Sequence, residues 1–311
     1  MVSHFINCIY RMTGLFYLTI IVFGSCSSST QLTKINNIDN SSDTIKFKPA
    51  VAAGVINNKV INEASGIVMS LQDKDFFWTH NDSGDDARLF LVSTDAEYRF
   101  TCTVANIKNR DWEDIAIYND SNSGKSRLYI GDIGDNNAVY PFCNIYIIDE
   151  PSVKSTSDIT ISKSEKIIYK YSDGRRDAET LMVDPVNGDI YIVSKRETNV
   201  NIYRIAYPYS FKDTMTAEKM LTIPLNNFVG GDISRDGSEI LMKTYQKIYY
   251  WPRKKGKTII EALSQKPIEI PYQIEPQGEA ICWSADAKSF YTLSEASPFN
   301  VTPVLYRYDK E

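Results

Sequence analysis

Two stretches of this 311-residue chain concentrate groups able to do chemistry. THNDSGDD, residues 79–86, places His80 beside Asn81, Asp82, Asp85 and Asp86, and the chain has only one other histidine, His4. An imidazole, with an ordinary pKa of about 6.5, exchanges protons near neutrality. YIGDIGDNNAVYPF, residues 129–142, sets Asp132 and Asp135 beside Gly131 and Gly134. Glycine permits close backbone approach, and the aspartate oxygens suit a hard cation, although their spacing is not that of an EF-hand. Asn-Asp-Ser-Gly is also the composition of an ordinary turn. Which of these it is depends on what the rest of the chain brings beside it.

The elements that must do so repeat. EASGIVMS from Glu63, EDIAIYND from Glu113, ETLMVDP from Glu179, DISRDGSE from Asp232 and EAICWSAD from Glu279 each open on an acid and run into a turn. Each is followed by two aromatic, β-branched runs, and most by a third. Four short antiparallel strands recurring about every 50 residues predict an all-β chain folded as a β-propeller. One four-stranded sheet cannot bury both faces, whereas sheets stacked around an axis do so and leave short edges. Five four-stranded blades are expected, or six if the long second unit contains an extra sheet. The last unit stops after three strands, so TIKFKPAVAAGV, residues 44–55, is expected to supply its fourth and close the ring.

In such a ring the first strand of each blade lines the central channel. Glu63, Glu113, Glu179, Asp232 and Glu279 then converge at one mouth. The turns after the second strands add His80, Asn81 and Asp82, then Asp132 and Asp135, then Lys195 and Arg196, then Lys243 and Tyr245, and finally Glu295. Clustered carboxylates raise one another's pKa or require a cation. Oxygen donors in an irregular cage favour Ca²⁺. The expected metal set is Glu63, Asp82, Asp132, Asp135, Asp232 and Glu279. Alternatively the ring acids bond amides of the neighbouring blade and are structural. Trp112, beside Glu113, is expected to pack between blades.

Composition narrows the class. The chain is 43% hydrophobic with a net charge of −5 and lacks the basic stripe of a nucleic-acid binder. GLFYLTIIVFGSC, residues 14–26, is an apolar run of signal-peptide length. Its end, Phe23-Gly24-Ser25-Cys26, resembles the lipobox of bacterial lipoproteins. The organisation expected is a signal peptide over 1–25, lipidation at Cys26, a Ser/Thr/Asn-rich tether over 26–43 and a single propeller over 44–311. Contact with the membrane is then through a lipid anchor only, on the outer membrane of a Gram-negative-type cell. Cys102, Cys143 and Cys282 show no metal or disulfide spacing and read as small buried hydrophobes.

EASGI, HNDSGD, DWEDIA, YIGDIGDN, AETLMVDP and QGEAICWS resemble a group of secreted bacterial β-propeller proteins near the esterase-like and phytase-like propellers. The acidic first strand with LYIG is also similar to soluble calcium-activated nucleotidases, which are five-bladed and bind calcium in the channel. The resemblance implies the fold. Two functions follow as expectations. One is a calcium-dependent hydrolase of phosphate or other esters acting on an anionic small molecule. In it His80, Glu113 and Glu179 would be catalytic, while Asn81, Arg176, Lys195, Arg196, Lys243, Tyr245 and Glu295 would hold substrate. The other is a non-catalytic propeller binding a glycan or protein at the cell envelope. A quinone-dependent dehydrogenase is disfavoured, since only one histidine faces the channel.

Overall fold

The computed structural model describes residues 45–120, 123–297 and 301–311. The signal peptide, Cys26 and the tether lie outside these residues. Strand β1 (Val51–Val55) comes first, followed by β2 (Ala64–Met69), β3 (Phe76–Asn81), β4 (Arg88–Ser93) and β5 (Tyr98–Val104). Next are β6 (Trp112–Asp120), β7 (Lys125–Asp132), β8 (Cys143–Asp149), β9 (Ile159–Ile161) and β10 (Glu165–Tyr171). Then come β11 (Ala178–Val183), β12 (Ile190–Ser194), β13 (Val200–Ile205) and β14 (Met215–Ile223). Strands β15 (Phe228–Ile233), β16 (Glu239–Thr244) and β17 (Ile248–Pro252) precede helix α1 (Ile259–Leu263) and β18 (Ile268–Ile270). The chain ends with β19 (Gly278–Trp283), β20 (Ser289–Ser294) and β21 (Val304–Asp309).

These strands make an all-β, propeller-like fold of several sheets. The strand orders are β2-β3-β4-β5-β9, β15-β16-β17-β18 and β1-β21-β20-β19. An eight-stranded sheet, β11-β12-β13-β14-β10-β8-β7-β6, is two antiparallel halves joined by the parallel pair β10–β14. The long stretch between β8 and β10 contributes only β9, which adds to the edge of β5 in parallel. No extra sheet lies there among the described residues. Strand β1 is the fourth strand of the last sheet, paired antiparallel with β21. Phe47, just upstream, bridges to Lys310 and packs edge-on against Phe290 at 5.0 Å.

Strand alternation explains how the sheets hold together. Successive side chains point to opposite faces, and both faces are covered. In β12, Ile190 and Ile192 enter one hydrophobic cluster while Tyr191 and Val193 enter another. In β3, Phe77 and Trp78 divide in the same way. With the two halves of the eight-stranded sheet counted separately, a cluster fills the space between each and the next in chain order, and another lies between the last sheet and the first. The first strands pack in matching succession, β2 on β6, β6 on β11, β11 on β15, β15 on β19 and β19 on β2. Cys102, Cys143 and Cys282 are buried free thiols within these clusters.

Candidate functional site

Every one of these first strands carries the same irregularity. Between its first residue and the next registered pair, one extra residue is inserted relative to the partner strand. A β-bulge of this kind re-aims a side chain out of the ladder. The bulge position holds Ser65, Glu113, Glu179, Val229 and Glu279. Two residues earlier stand Glu63, Asp111, Asp177, Asn227 and Gln277. Across from them, one residue past the end of each second strand, stand Asp82, Ile133, Lys195, Tyr245 and Glu295. Backbone hydrogen bonds tie the last two sets together: Asp82 N–H donates to Glu63 O (2.8 Å), Lys195 to Asp177 O (3.1 Å) and Glu295 to Gln277 O (3.1 Å).

The result is an acidic mouth. One oxygen from each of Asp82, Asp111 and Glu113 lies within 4.8 Å of the others, and the same holds for Glu113, Asp177 and Glu179. Glu113 belongs to both groups. Gly134 makes this approach possible, since a Cβ there would sit 2.1 Å from Glu113 Oε1 and 2.5 Å from Asp111 Oδ2. A hydrogen-bonded chain runs around the opposite side. Lys195 Nζ donates to Glu179 Oε1 and to the Tyr245 hydroxyl (3.0 Å). That hydroxyl donates to Glu279 Oε1 (2.6 Å). Ser65 Oγ donates to the Glu113 carbonyl (2.6 Å) and lies 3.3 Å from Glu279 Oε2. Arg196 Nε pairs with Asp177 Oδ2 at 2.6 Å. Glu179 Oε2 is buried with no hydrogen-bond partner.

The electrostatics follow from burial and crowding. Burial, then Glu179 and Asp82, push Glu113 well above the usual carboxylate range. Burial and Glu279 do the same to Glu179 despite Lys195. Asp82 is pushed up to about 7 by burial, with Glu279, Asp111 and Glu63 adding to it. Glu295 is pushed up to about 9 by burial and Glu279. Burial pulls Lys195 down, but Glu179 and Glu279 outweigh it and raise its pKa. Too many carboxylates share this mouth for all to be charged without a cation.

No protein-family model matches the chain, and no curated protein matches it. Similar solved structures include a luciferin-regenerating enzyme, 9% identical, with a TM-score of 0.43 over 84% of this chain and 95% of that one. Another is an auxiliary nutrient binding protein from Bacteroides thetaiotaomicron, 14% identical, with a TM-score of 0.44 over 79% of this chain. The match spans 60% of that protein.

Of the residues expected at the mouth, Asp82, Glu113, Glu179, Lys195, Arg196, Tyr245, Glu279 and Glu295 meet there. Glu63 borders it from the loop before β2, half-buried. The others lie elsewhere. Asp232 is near the far end of β15, in a cavity of about 220 Å³ with Val68, Ile117, Val183, Arg235 and Trp283. Its oxygens accept from the Ile233 and Trp283 amides, both at 2.8 Å. Asp132 accepts from Asp111 N–H and Asn144 Nδ2, both at 3.0 Å. Asp135 accepts from the Val139 (2.8 Å) and Tyr140 (2.7 Å) amides, so it shapes its own loop. Arg176 bonds Glu197 and Asp173 and lies over Tyr171 and Tyr203. Asn81 braces the loop before β2 through Val60 and Asn62, and the turn after β3 through Asp85.

His80 and Lys243 fail as site residues for one shared reason. Both precede the last residue of a second strand, where the neighbouring sheet still closes over the side chain. His80 is 0% exposed, stacked edge-on against Trp112 at 5.7 Å. Its Nδ1 lies 2.9 Å from the Asn81 carbonyl, and burial lowers its pKa to about 4. Trp112 itself packs between sheets, as expected. Lys243 donates to Tyr272 (2.7 Å) and the Gly278 carbonyl, with Glu275 as its charge partner. Burial lowers it to about 8. The amide bonding between neighbouring sheets considered for the ring acids is made by one of them, Asp232, to the Trp283 N–H (2.8 Å), and by Asp114, which accepts from Leu181 (2.9 Å) and Gly231 (3.4 Å) N–H groups. Sequence reasoning missed Asp111 and Asp177. The signal was present as a repeated Asp-x-Glu, in DWE and DAE.

Proposed function

We propose that the chain is a five-bladed propeller of the bacterial cell envelope, anchored through a lipid on Cys26, whose acidic mouth binds calcium and recognises an oxygen-rich ligand through it. Glu113 carries the cation reading. It is buried, shared by two carboxylate groups, and admitted by a glycine that leaves room for nothing larger. The unpartnered Glu179 oxygen beside it supports the same reading. Asp82, Asp111 and Glu113 would hold an ion at one position, and Glu113, Asp177 and Glu179 at the other. An all-oxygen, irregular donor set suits Ca²⁺ better than Mg²⁺, which demands near-octahedral ligands. When bound, the ion would offset part of the mouth's negative charge and offer open positions to ligand oxygens.

The fivefold succession of first strands and intervening clusters supports the blade count. The apolar run and Phe23-Gly24-Ser25-Cys26 support the anchor. A calcium-dependent ester hydrolase is the second reading, favoured by half-buried Asp82 at the rim, a carboxylate placed to accept a proton. Recognition is the better account, because the groups meant to grip an anion are engaged elsewhere. Lys195 pairs with Glu179, Arg196 pairs with Asp177, and His80 and Lys243 are sealed between sheets. Calorimetric titration of chelator-treated protein with Ca²⁺ and Mg²⁺ tests the cation. Saturable calcium binding, with magnesium weaker, is expected, and absence of binding to either ends the reading. Loss of membrane fractionation in Cys26→Ser tests the anchor.

A further inference from the structure

Resting on the cation reading, we propose that the mouth's ligand is a neutral saccharide, held by its hydroxyls at the cation and by its apolar ring face on the loop 138–142. Charge selects neutrality. Asp82, Asp111, Glu113, Asp177, Glu179, Glu279 and Glu295 outnumber the cations that act on them: Lys195 and Arg196 are in ion pairs within the mouth, Arg110 stands near Asp111, and Lys243 near Glu279. One dication leaves the mouth negative, so a phosphate or carboxylate ligand would meet like charge.

The rim selects shape. Val139, Tyr140 and Phe142 are 52%, 40% and 45% exposed, an apolar group beside the most acidic part of the molecule. They are not on a loose tip. Asp135 binds both the Val139 and Tyr140 amides through its two carboxylate oxygens. Arg175 donates to the Val139 carbonyl (2.8 Å), and Arg110 donates to that of Phe142 (3.2 Å) while lying 4.2 Å over the Tyr140 ring. The Asp135 amide in turn donates to Asp177 of the mouth (2.8 Å). A rigid, exposed apolar surface tied to a polar site marks a binding surface.

Tyr245, which bonds Glu279, also lines a cleft of about 360 Å³ with Thr198, Asn226, Asn227, Gln246 and Tyr249. Amides and hydroxyls both donate and accept, which matches sugar hydroxyls. The cation mouth and the apolar platform fit a ring with a hydroxylated edge and a C–H face, and the amide-lined cleft beyond Tyr245 offers partners to the hydroxyls of a longer saccharide.

The test uses the mature chain. Calcium affinity is measured first by calorimetry. Binding is then measured to neutral β- and α-glucan, xylan and mannan oligosaccharides, and to uronate-containing and sulfated ones, with Ca²⁺ and with EDTA. Binding of at least one neutral class, lost in EDTA, is expected. Val139→Ala/Phe142→Ala should weaken it about tenfold, 1.4 kcal/mol, with calcium affinity unchanged, and Gln246→Ala should weaken it similarly. Calcium binding with no neutral saccharide bound, or with only the charged ones bound, overturns this inference and leaves the cation reading intact. So does unchanged saccharide affinity in the loop variant. Absence of calcium binding overturns both.

Discussion

Replacing Glu113 by Gln keeps the side chain's shape and removes the one carboxylate common to both acidic groups. What remains is Asp82 with Asp111 on one side, and Asp177 with Glu179 on the other. The latter two are held by Arg196 and Lys195. A unit charge pair at 4 Å is worth about 4 kcal/mol at an effective dielectric of 20, so losing Glu113 should weaken calcium at least about a hundredfold. At a calcium concentration 100 times the wild-type dissociation constant, mass action stabilises the wild type by about 2.7 kcal/mol and the variant by only about 0.4 kcal/mol. For a domain of this size that is a rise in Tm of about 5–11 °C against about 1–2 °C. Without metal the order should reverse. Burial and like charges disfavour the ionised Glu113, so at neutral pH the variant should melt no lower than wild type. Scanning calorimetry of both proteins with EDTA and with a calcium series reads all of this. Equal calcium increments in the two proteins would refute the role assigned to Glu113.

The pH dependence has a definite sign. Asp82 and Glu295 hold protons in the folded state up to about 7 and about 9, above their unfolded values. Through these two groups, with Glu113 and Glu179 acting in the same direction and only His80 opposing below about pH 6.5, the folded chain binds more protons than the unfolded one between about pH 4 and pH 9, and metal-free stability should fall as pH rises through that window. Calcium needs the ionised forms, so its increment should grow over the same window, and melts at a series of pH values with and without calcium should diverge. His80→Ala should cost about 2–4 kcal/mol, as a buried large-to-small change does, and leave the calcium increment as it was; loss of the increment at unchanged Tm would restore His80 to the site. Gly134→Ala should abolish calcium binding, since its Cβ has no space between Glu113 and Asp111, and retained affinity in titration would count against the packed carboxylate pair. Removing residues through Val55 deletes β1 from the last sheet and should lower Tm sharply, whereas removal through Ser42 should not. Equal melts for the two truncations would show that β1 does not hold that sheet together.

The repeat was legible in the sequence because its physics is one-dimensional. Tyr- and Ile-rich runs separated by Asn, Gly and Asp can only be short strands with turns, and both faces of each run are apolar because each sheet is covered twice. The missing fourth strand of the last sheet followed by counting, and β1 supplies it. The site was legible only where a side chain's direction could be derived from strand register. Aligning the first acid of each unit put Glu63, Glu113 and Asp232 on one ring, but one residue of slip moves a side chain to another face. Asp232 is four residues beyond Phe228, whereas Glu113 directly follows Trp112, and the two ends of a strand open on opposite mouths. Val229 and Ser65 hold the true equivalent positions. The bulge itself leaves no compositional trace, because its effect is to point whichever residue sits there inward. The same geometry decides the second strands. Lys195, Tyr245 and Glu295 lie just past the strand end and turn toward the mouth. His80 and Lys243 are two residues short of that point and are buried between sheets. A polar residue type therefore marked a position worth testing, and a difference of two residues decided whether it faced the acidic mouth or the space between two sheets.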